Sequence, residues 1–130
     1  MPTNRVLIVD DDEMIALCLR QSLELTLPDC AVDVAYSGEE ALRSLARKTH
    51  NLIITDFHMP GAVDGLDLIG EARHLDADIP IILMTGFGSP GLRAKAATLG
   101  VNHYMQKPLD IERLLAVAGR LLSSQHRAAG

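Results

Sequence analysis

Residues 5–12 read Arg-Val-Leu-Ile-Val-Asp-Asp-Asp. The unbroken apolar run Val6–Val9 has no polar alternation. It therefore describes a strand covered on both faces, as strands of a parallel sheet are. The run ends at three aspartates, so it is too short for a secretory signal. Met14–Leu25 follows at helical period, with Ile15, Cys18, Leu19 and Leu23 on one face. Two more runs of the same character occur downstream. Leu52–Ile54 leads into Asp56, and Ile81–Met84 leads into Thr85.

The segments between these runs complete a repeating pattern. Ala31–Tyr36 is a strand with Asp33 in it, and Ser37 opens a helix with Glu40 completing a capping box. Gly65–Leu75 is a helix. Ile79–Thr85 is the fourth strand, with Pro80 at its start, where a missing N–H is tolerated. Ser89 and Pro90 supply an N-cap and first helical position for a helix to Leu99. Val101–Gln106 is the fifth strand. Asp110 caps a last helix that turns Ile111, Leu114, Leu115, Ala118, Leu121 and Leu122 inward. The pattern is (βα)5, an α/β doubly wound sandwich. Strands two and five carry polar residues and belong at the edges. The predicted sheet order is 2-1-3-4-5, which opens a ligand crevice at the carboxyl ends of strands one and three.

The bulk numbers agree with one domain. The chain has 130 residues, 48% hydrophobic and 22% charged. The structured unit is expected over residues 1–122, with 123–130 a C-terminal tail. The net charge of −5 comes from 12 basic and 17 acidic residues. It argues against broad contact with nucleic acid or anionic membrane, and no direct nucleic-acid binding is expected. No run approaches a membrane span. Cys18 and Cys30 form no CxxC and read as small core or near-surface thiols in a reducing compartment. The expected location is the cytoplasm.

The proposed order brings several chemically distinctive residues to one edge. Asp10 and Asp11 follow strand one, and Asp56 ends strand three beside it. An aspartate run before a helix often only caps the helix dipole, and that reading suits Asp12 and Glu13. The convergence of Asp10 and Asp11 on Asp56 favours a hard divalent cation, which relieves repulsion among carboxylates. Mg²⁺ fits, because it takes oxygen ligands and keeps waters that a phosphate can replace. Lys107, after strand five, is by itself a solvated loop lysine, but here it completes the charge balance. Pro108 biases it toward an extended backbone. Thr85 is by itself a β-branched strand residue. Beside a phosphate its hydroxyl can donate, and Gly86 leaves room for the phosphoryl group.

These residues resemble the response-regulator receiver domains of two-component signalling. The resemblance covers about residues 5–122. It rests on Ile8–Asp12 (IVDDD), Thr55–Gly65 (TDFHMPGAVDG), Met84–Gly86 (MTG) and Tyr104–Pro108 (YMQKP), in this order and spacing. The resemblance implies that Asp56 accepts a phosphoryl group. It implies that Asp11 binds Mg²⁺ directly, Asp10 largely through water, and His58 through its backbone carbonyl. Thr85 and Lys107 match the residues that hold the phosphoryl oxygens, and Tyr104 matches the switch aromatic. The implied donor is a phosphohistidine on a sensor histidine kinase or a histidine phosphotransfer protein. The implied output surface is helix four, strand five and helix five. The chain departs from many receivers by one extra residue between Met59-Pro60 and Asp64-Gly65, a form often found in receivers attached to hybrid kinases.

Two other classes compete. A flavodoxin-like nucleotide or flavin module requires a Gly-, Ser- or Thr-rich loop after strand one, and Asp10–Asp12 would repel an anion there. A scaffold that had lost phosphorylation would not need the full set Asp10, Asp11, Asp56, Thr85 and Lys107. The expected function is thus a phosphoacceptor switch, not an enzyme acting on other substrates. It is read as a stand-alone regulator, the alternative being a receiver excised from a hybrid kinase or larger protein.

Overall fold

Strand formation follows burial. The computed structural model describes residues 4–27 and 29–129, with side chains as far as Ser124. Five strands and five helices alternate: β1 Asn4–Val9, α1 Glu13–Thr26, β2 Cys30–Ala35, α2 Gly38–Arg47, β3 Leu52–Asp56, α3 Gly65–Leu75, β4 Ile81–Thr85, α4 Pro90–Thr98, β5 His103–Gln106 and α5 Ile111–Ala129. All neighbouring strands are parallel, in the order β2-β1-β3-β4-β5. This is the expected order. Val6–Val9 and every residue of β3 and β4 are buried, whereas β2 and β5 at the edges are partly open.

The strand period of two divides the core between the faces. Val6, Ile8, Leu52, Ile54, Ile82 and Met84 meet Ala16, Leu19 and Leu23 of α1 and Leu114, Val117 and Ala118 of α5. Leu7, Val9, Ile53, Ile81 and Leu83 meet Ala41 of α2, Leu68, Ile69 and Ala72 of α3, and Leu92 and Ala96 of α4. Each fully buried Leu or Ile contributes about 1.5–3 kcal/mol of transfer free energy, so the two layers together drive the fold. Helix α4 brings only Leu92 and Ala96 to this core, fewer buried residues than α1 or α3 bring.

Several local expectations are corrected. Cys18 is exposed, and Ala16 takes the inward position instead, because the buried stripe of α1 runs Ala16, Leu19, Leu23. Ser37 does cap α2 by accepting the Glu40 N–H at 3.1 Å. However, the Glu40 carboxylate accepts the Tyr36 N–H at 2.8 Å rather than that of Ser37, so the reciprocal box is shifted by one residue. A true capping box opens α3, between Asp64 and Asp67. Strand β4 starts at Ile81, after Pro80, whose carbonyl still accepts the Ile53 N–H. Strand β5 starts at His103, since the N–H of Asn102 is spent on Ile81 and its side-chain oxygen accepts the Ile81 N–H. Helix α5 continues to Ala129 through residues read as a tail, where no Gly or Pro interrupts it. Gly130 lies outside the described residues. Among the described residues no helix is long and apolar enough to cross a membrane.

Arg73 of α3 fastens the far end of α4. Its guanidinium donates to the carbonyls of Leu99 at 3.0 Å and Gly100 at 2.8 Å, and to that of Ile79. Gly100 has φ +75°, so the turn it forms favours glycine.

A second polar cluster closes the β2 edge. Asp33 accepts from Arg5 at 3.1 Å, from the buried His50 Nε2 at 2.9 Å, and pairs with Lys48 at 3.5 Å. Burial pushes the Asp33 carboxyl up, but these hydrogen bonds and charges outweigh it and hold it below 3.8. Burial holds the His50 imidazole below its ordinary 6.5, against the pull of Asp33. Both folded values are depressed, so both groups add stability above their unfolded values that is lost as pH falls. For His50 that loss begins near pH 6.5 and proceeds toward its lower folded value. Urea unfolding should therefore show stability falling between about pH 7 and pH 5. In His50→Asn, which cannot titrate there, that decline should be smaller; equal slopes would show that His50 is not its source.

Candidate functional site

Three strand ends meet in one crevice. Asp10 follows β1 and is fully buried, its N–H donating to the Ala35 carbonyl of β2. Asp56 closes β3 and is 5% exposed. Lys107 follows β5, and its N–H donates to the Thr85 carbonyl at 2.8 Å. That bond holds Lys107 beside the end of β4, and its peptide with Pro108 is cis. The Lys107 Nζ donates to Asp10 Oδ2 at 2.9 Å and to Asp56 Oδ2 at 3.1 Å.

Asp11 is exposed, yet oxygens of Asp10, Asp11 and Asp56 lie within 4.8 Å of one another. All three expected acids are thus brought together. Both Asp10 oxygens are engaged, Oδ1 by the Asp12 N–H at 2.9 Å and Oδ2 by Lys107. Asp12 behaves as a cap, its carboxylate accepting the N–H groups of Met14 and Ile15. Burial raises the Asp10 carboxyl above its ordinary value, with the charge of Asp56 adding to it. Burial pulls Lys107 down, but its bonds to Asp10 and Asp56 outweigh this and raise it. The lysine is therefore a firm cation among carboxylates that repel one another. Three hard oxygen donors, one facing solvent, suit a small divalent cation.

The other expected residues surround this centre. His58 and Phe87 are exposed and stand in the walls of the crevice, which has a volume of about 500 Å³. Phe87 is 83% exposed, and the His58 ring meets the edge of Phe57 at 4.5 Å. Thr85 is fully buried at the end of β4 and is not among the wall residues. Its Oγ1 accepts the Phe87 N–H at 3.2 Å, which leaves its proton free to donate elsewhere. Tyr104 stands apart from the crevice, under the loop between β4 and α4, with its hydroxyl beside Gly88.

Sequence reasoning missed the supports behind Asp56. A Cβ at Gly65 would lie 2.5 Å from the Asp56 carbonyl oxygen and 2.8 Å from the Phe57 Cα. Only glycine lets α3 start so close to the strand, and the Gly65 N–H donates to the Phe57 carbonyl at 3.0 Å. Val63 of this lengthened loop packs into the second core layer, directly over Gly38 at the start of α2, where any Cβ would overlap it. Glycines opening two helices in place of stronger helix formers were the available signal.

Comparison with known proteins matches this geometry. The family described as response regulator receiver domain matches residues 6–118. Response regulator MprA of Mycobacterium leprae is 35% identical over 118 residues, covering 91% of this chain and 50% of that protein. Transcriptional regulatory protein YkoG of Bacillus subtilis is 34% identical, covering 89% of this chain and 50% of that protein. The chain thus spans about half the length of the curated relatives it matches. The CheY-like receiver domain protein of Methanospirillum hungatei superposes with TM-score 0.89 at 28% identity, covering 96% of this chain and 98% of that one. The signal receiver domain of an HD domain-containing protein from Pseudomonas fluorescens superposes at 0.87 with 30% identity, covering 95% and 98%. A fold of order β2-β1-β3-β4-β5 with an acidic crevice at its carboxyl edge, joined to these matches, establishes that the chain belongs to the response regulator receiver domain family of two-component signalling.

Proposed function

We propose that this chain is a phosphoacceptor switch that takes a phosphoryl group onto Asp56 from a phosphohistidine, with Mg²⁺ as cofactor. The observation that carries the reading is the Lys107 ammonium bridging Asp10 and Asp56 beside the exposed Asp11. Asp11 would hold the ion directly and Asp10 through water, which accords with the engagement of both Asp10 oxygens. Asp56 and the His58 carbonyl would complete the protein ligands. When bound, Mg²⁺ supplies positive charge against the transferring phosphoryl group. An Asp56 oxygen attacks phosphorus, the bond to the donor imidazole breaks, and an acyl phosphate forms. Lys107 and the Thr85 hydroxyl then hold phosphoryl oxygens. The chain acts on no other substrate in this reading.

The donor is a sensor histidine kinase or a histidine phosphotransfer protein. Residues 1–122 form the receiver unit and 123–130 a C-terminal tail, in the cytoplasm. Output is read on the face of α4, β5 and α5, with Thr85 and Tyr104 as the switch pair. The light packing of α4 supports this, since a lightly packed helix shifts at small cost. The expectation of no direct nucleic-acid contact finds no support in the relatives, one of which is named a transcriptional regulator. It is kept only for the surface of this chain, whose 130 residues carry a charge of −5.

Acetyl phosphate should label the protein in an acid-labile manner in the presence of Mg²⁺. Labelling should vanish with EDTA and in Asp56→Asn. Undiminished, acid-stable labelling of Asp56→Asn would remove the assignment. The same variant, free of metal, should unfold at higher urea, by about 1 kcal/mol, because one of the clustered carboxylates is gone. A lower urea midpoint would mean that the Asp56–Lys107 bond outweighs the repulsion.

His58 and Phe87 both line the crevice that holds Asp56 and should slow the approach of water to the acyl phosphate. Replacing both with small residues should speed loss of the label several-fold, on the order of 1 kcal/mol in barrier. An unchanged decay constant would show that the rings do not screen it.

A further inference from the structure

Tyr104 occupies a seat whose contacts are unusual for a tyrosine. Its hydroxyl oxygen is buried and has no hydrogen-bond partner among the described residues. On the inner side, a Cβ added to Gly88 would lie 2.7 Å from that oxygen and 3.5 Å from the ring edge. The backbone of the loop between Thr85 and α4 therefore lies directly against the phenol. Across the ring stands Arg93, in the first turns of α4, with its guanidinium carbon 4.9 Å from the ring centroid. Arg93 is exposed and, among the described residues, makes no ion pair, so no carboxylate draws its guanidinium away from this ring.

The seat is a balance. An unpaired buried hydroxyl opposes it. Burial of the ring against the second core layer and the cation over its face favour it. The cation is one of the terms that favour the seat, so removing it loosens the ring. Arg93 also belongs to α4, which brings only Leu92 and Ala96 to the core, and Arg73 fastens only the opposite end of that helix. A cation on the free end of α4, stacked on the aromatic of β5, joins the two elements that output requires to move.

We propose that Arg93 is a positioning residue of the switch: it latches Tyr104 in the inward seat against Gly88 and makes the ring and the start of α4 move as one. The inference rests on the reading of Tyr104 as part of the output face. It adds the residue that sets the resting position of that ring.

The test uses tyrosine emission. The chain has two tyrosines and no tryptophan, so Tyr36→Phe leaves Tyr104 as the sole reporter. In that background Arg93→Ala, at an exposed helical position where alanine is well tolerated, should raise acrylamide quenching about twofold by freeing the ring. Arg93→Lys, which keeps a cation, should restore most of the protection. Gly88→Ala should evict the ring by steric contact, and adding Arg93→Ala to it should then raise quenching no further. Quenching unchanged in Arg93→Ala would overturn the proposal. So would equal loss in Arg93→Lys, or full additivity with Gly88→Ala. These measurements use unphosphorylated protein, so they stand whether or not Asp56 is labelled. The step in quenching on adding beryllofluoride with Mg²⁺ should shrink by at least about half in Arg93→Ala. An undiminished step would overturn the coupling. A parent protein with no step would instead refute the switch reading of Tyr104 while leaving Asp56 chemistry to the labelling experiment.

Discussion

A single ammonium group lies between two buried carboxylates, and much of the molecule is arranged around that contact. Lys107 reaches Asp10 and Asp56 from the end of β5, two strands away from β3 in sequence order. It does so because its N–H is tied to the carbonyl of Thr85, which places its stem at the edge of the sheet. Without that cation, two buried acids and the nearby Asp11 would repel one another in a region of low polarity. The hydrophobic layers make such a site affordable. They bury the strands so completely that the strand ends, and the acids on them, are held in place.

The same packing is uneven around the sheet. β1, β3 and β4 are buried throughout their apolar runs. The loop after β3 is braced from behind by Gly65 and Val63. The loop after β4 has no comparable brace: Gly86, Phe87, Gly88 and Ser89 are exposed, and the following helix brings only two buried residues. Arg73 secures the end of that helix but not its beginning. Tyr104 lies where that loop meets β5, with Arg93 across its ring.

Asp33 and His50 show a second solution to burying polar groups. Here one carboxylate collects Arg5, Lys48 and a buried imidazole at the edge strand. The cluster has more cationic donors than acids, the reverse of the crevice. It closes the β2 edge and lies outside the acid crevice.

The sequence by itself determined the architecture and the identity of the acidic crevice. Continuous apolar runs at Val6–Val9, Leu52–Ile54 and Ile81–Met84 are legible as central strands because burial on both faces permits no alternation. Once the strand order follows, Asp10, Asp11, Asp56 and Lys107 must lie at one edge, and the structure brings their side chains together. Cap residues were legible too, because Ser37, Ser89 and Asp110 act on backbone only a few residues away. What depends on contacts between distant segments was not. The choice of Ala16 over Cys18, the brace of Gly65 against Asp56 and the seat of Val63 over Gly38 are decided by neighbours that local periodicity does not specify. The same is true of Arg73 across α3 and α4, and of Arg93 on Tyr104. Periodicity tells which face of an element is apolar; only the packed structure tells which atom stands opposite it.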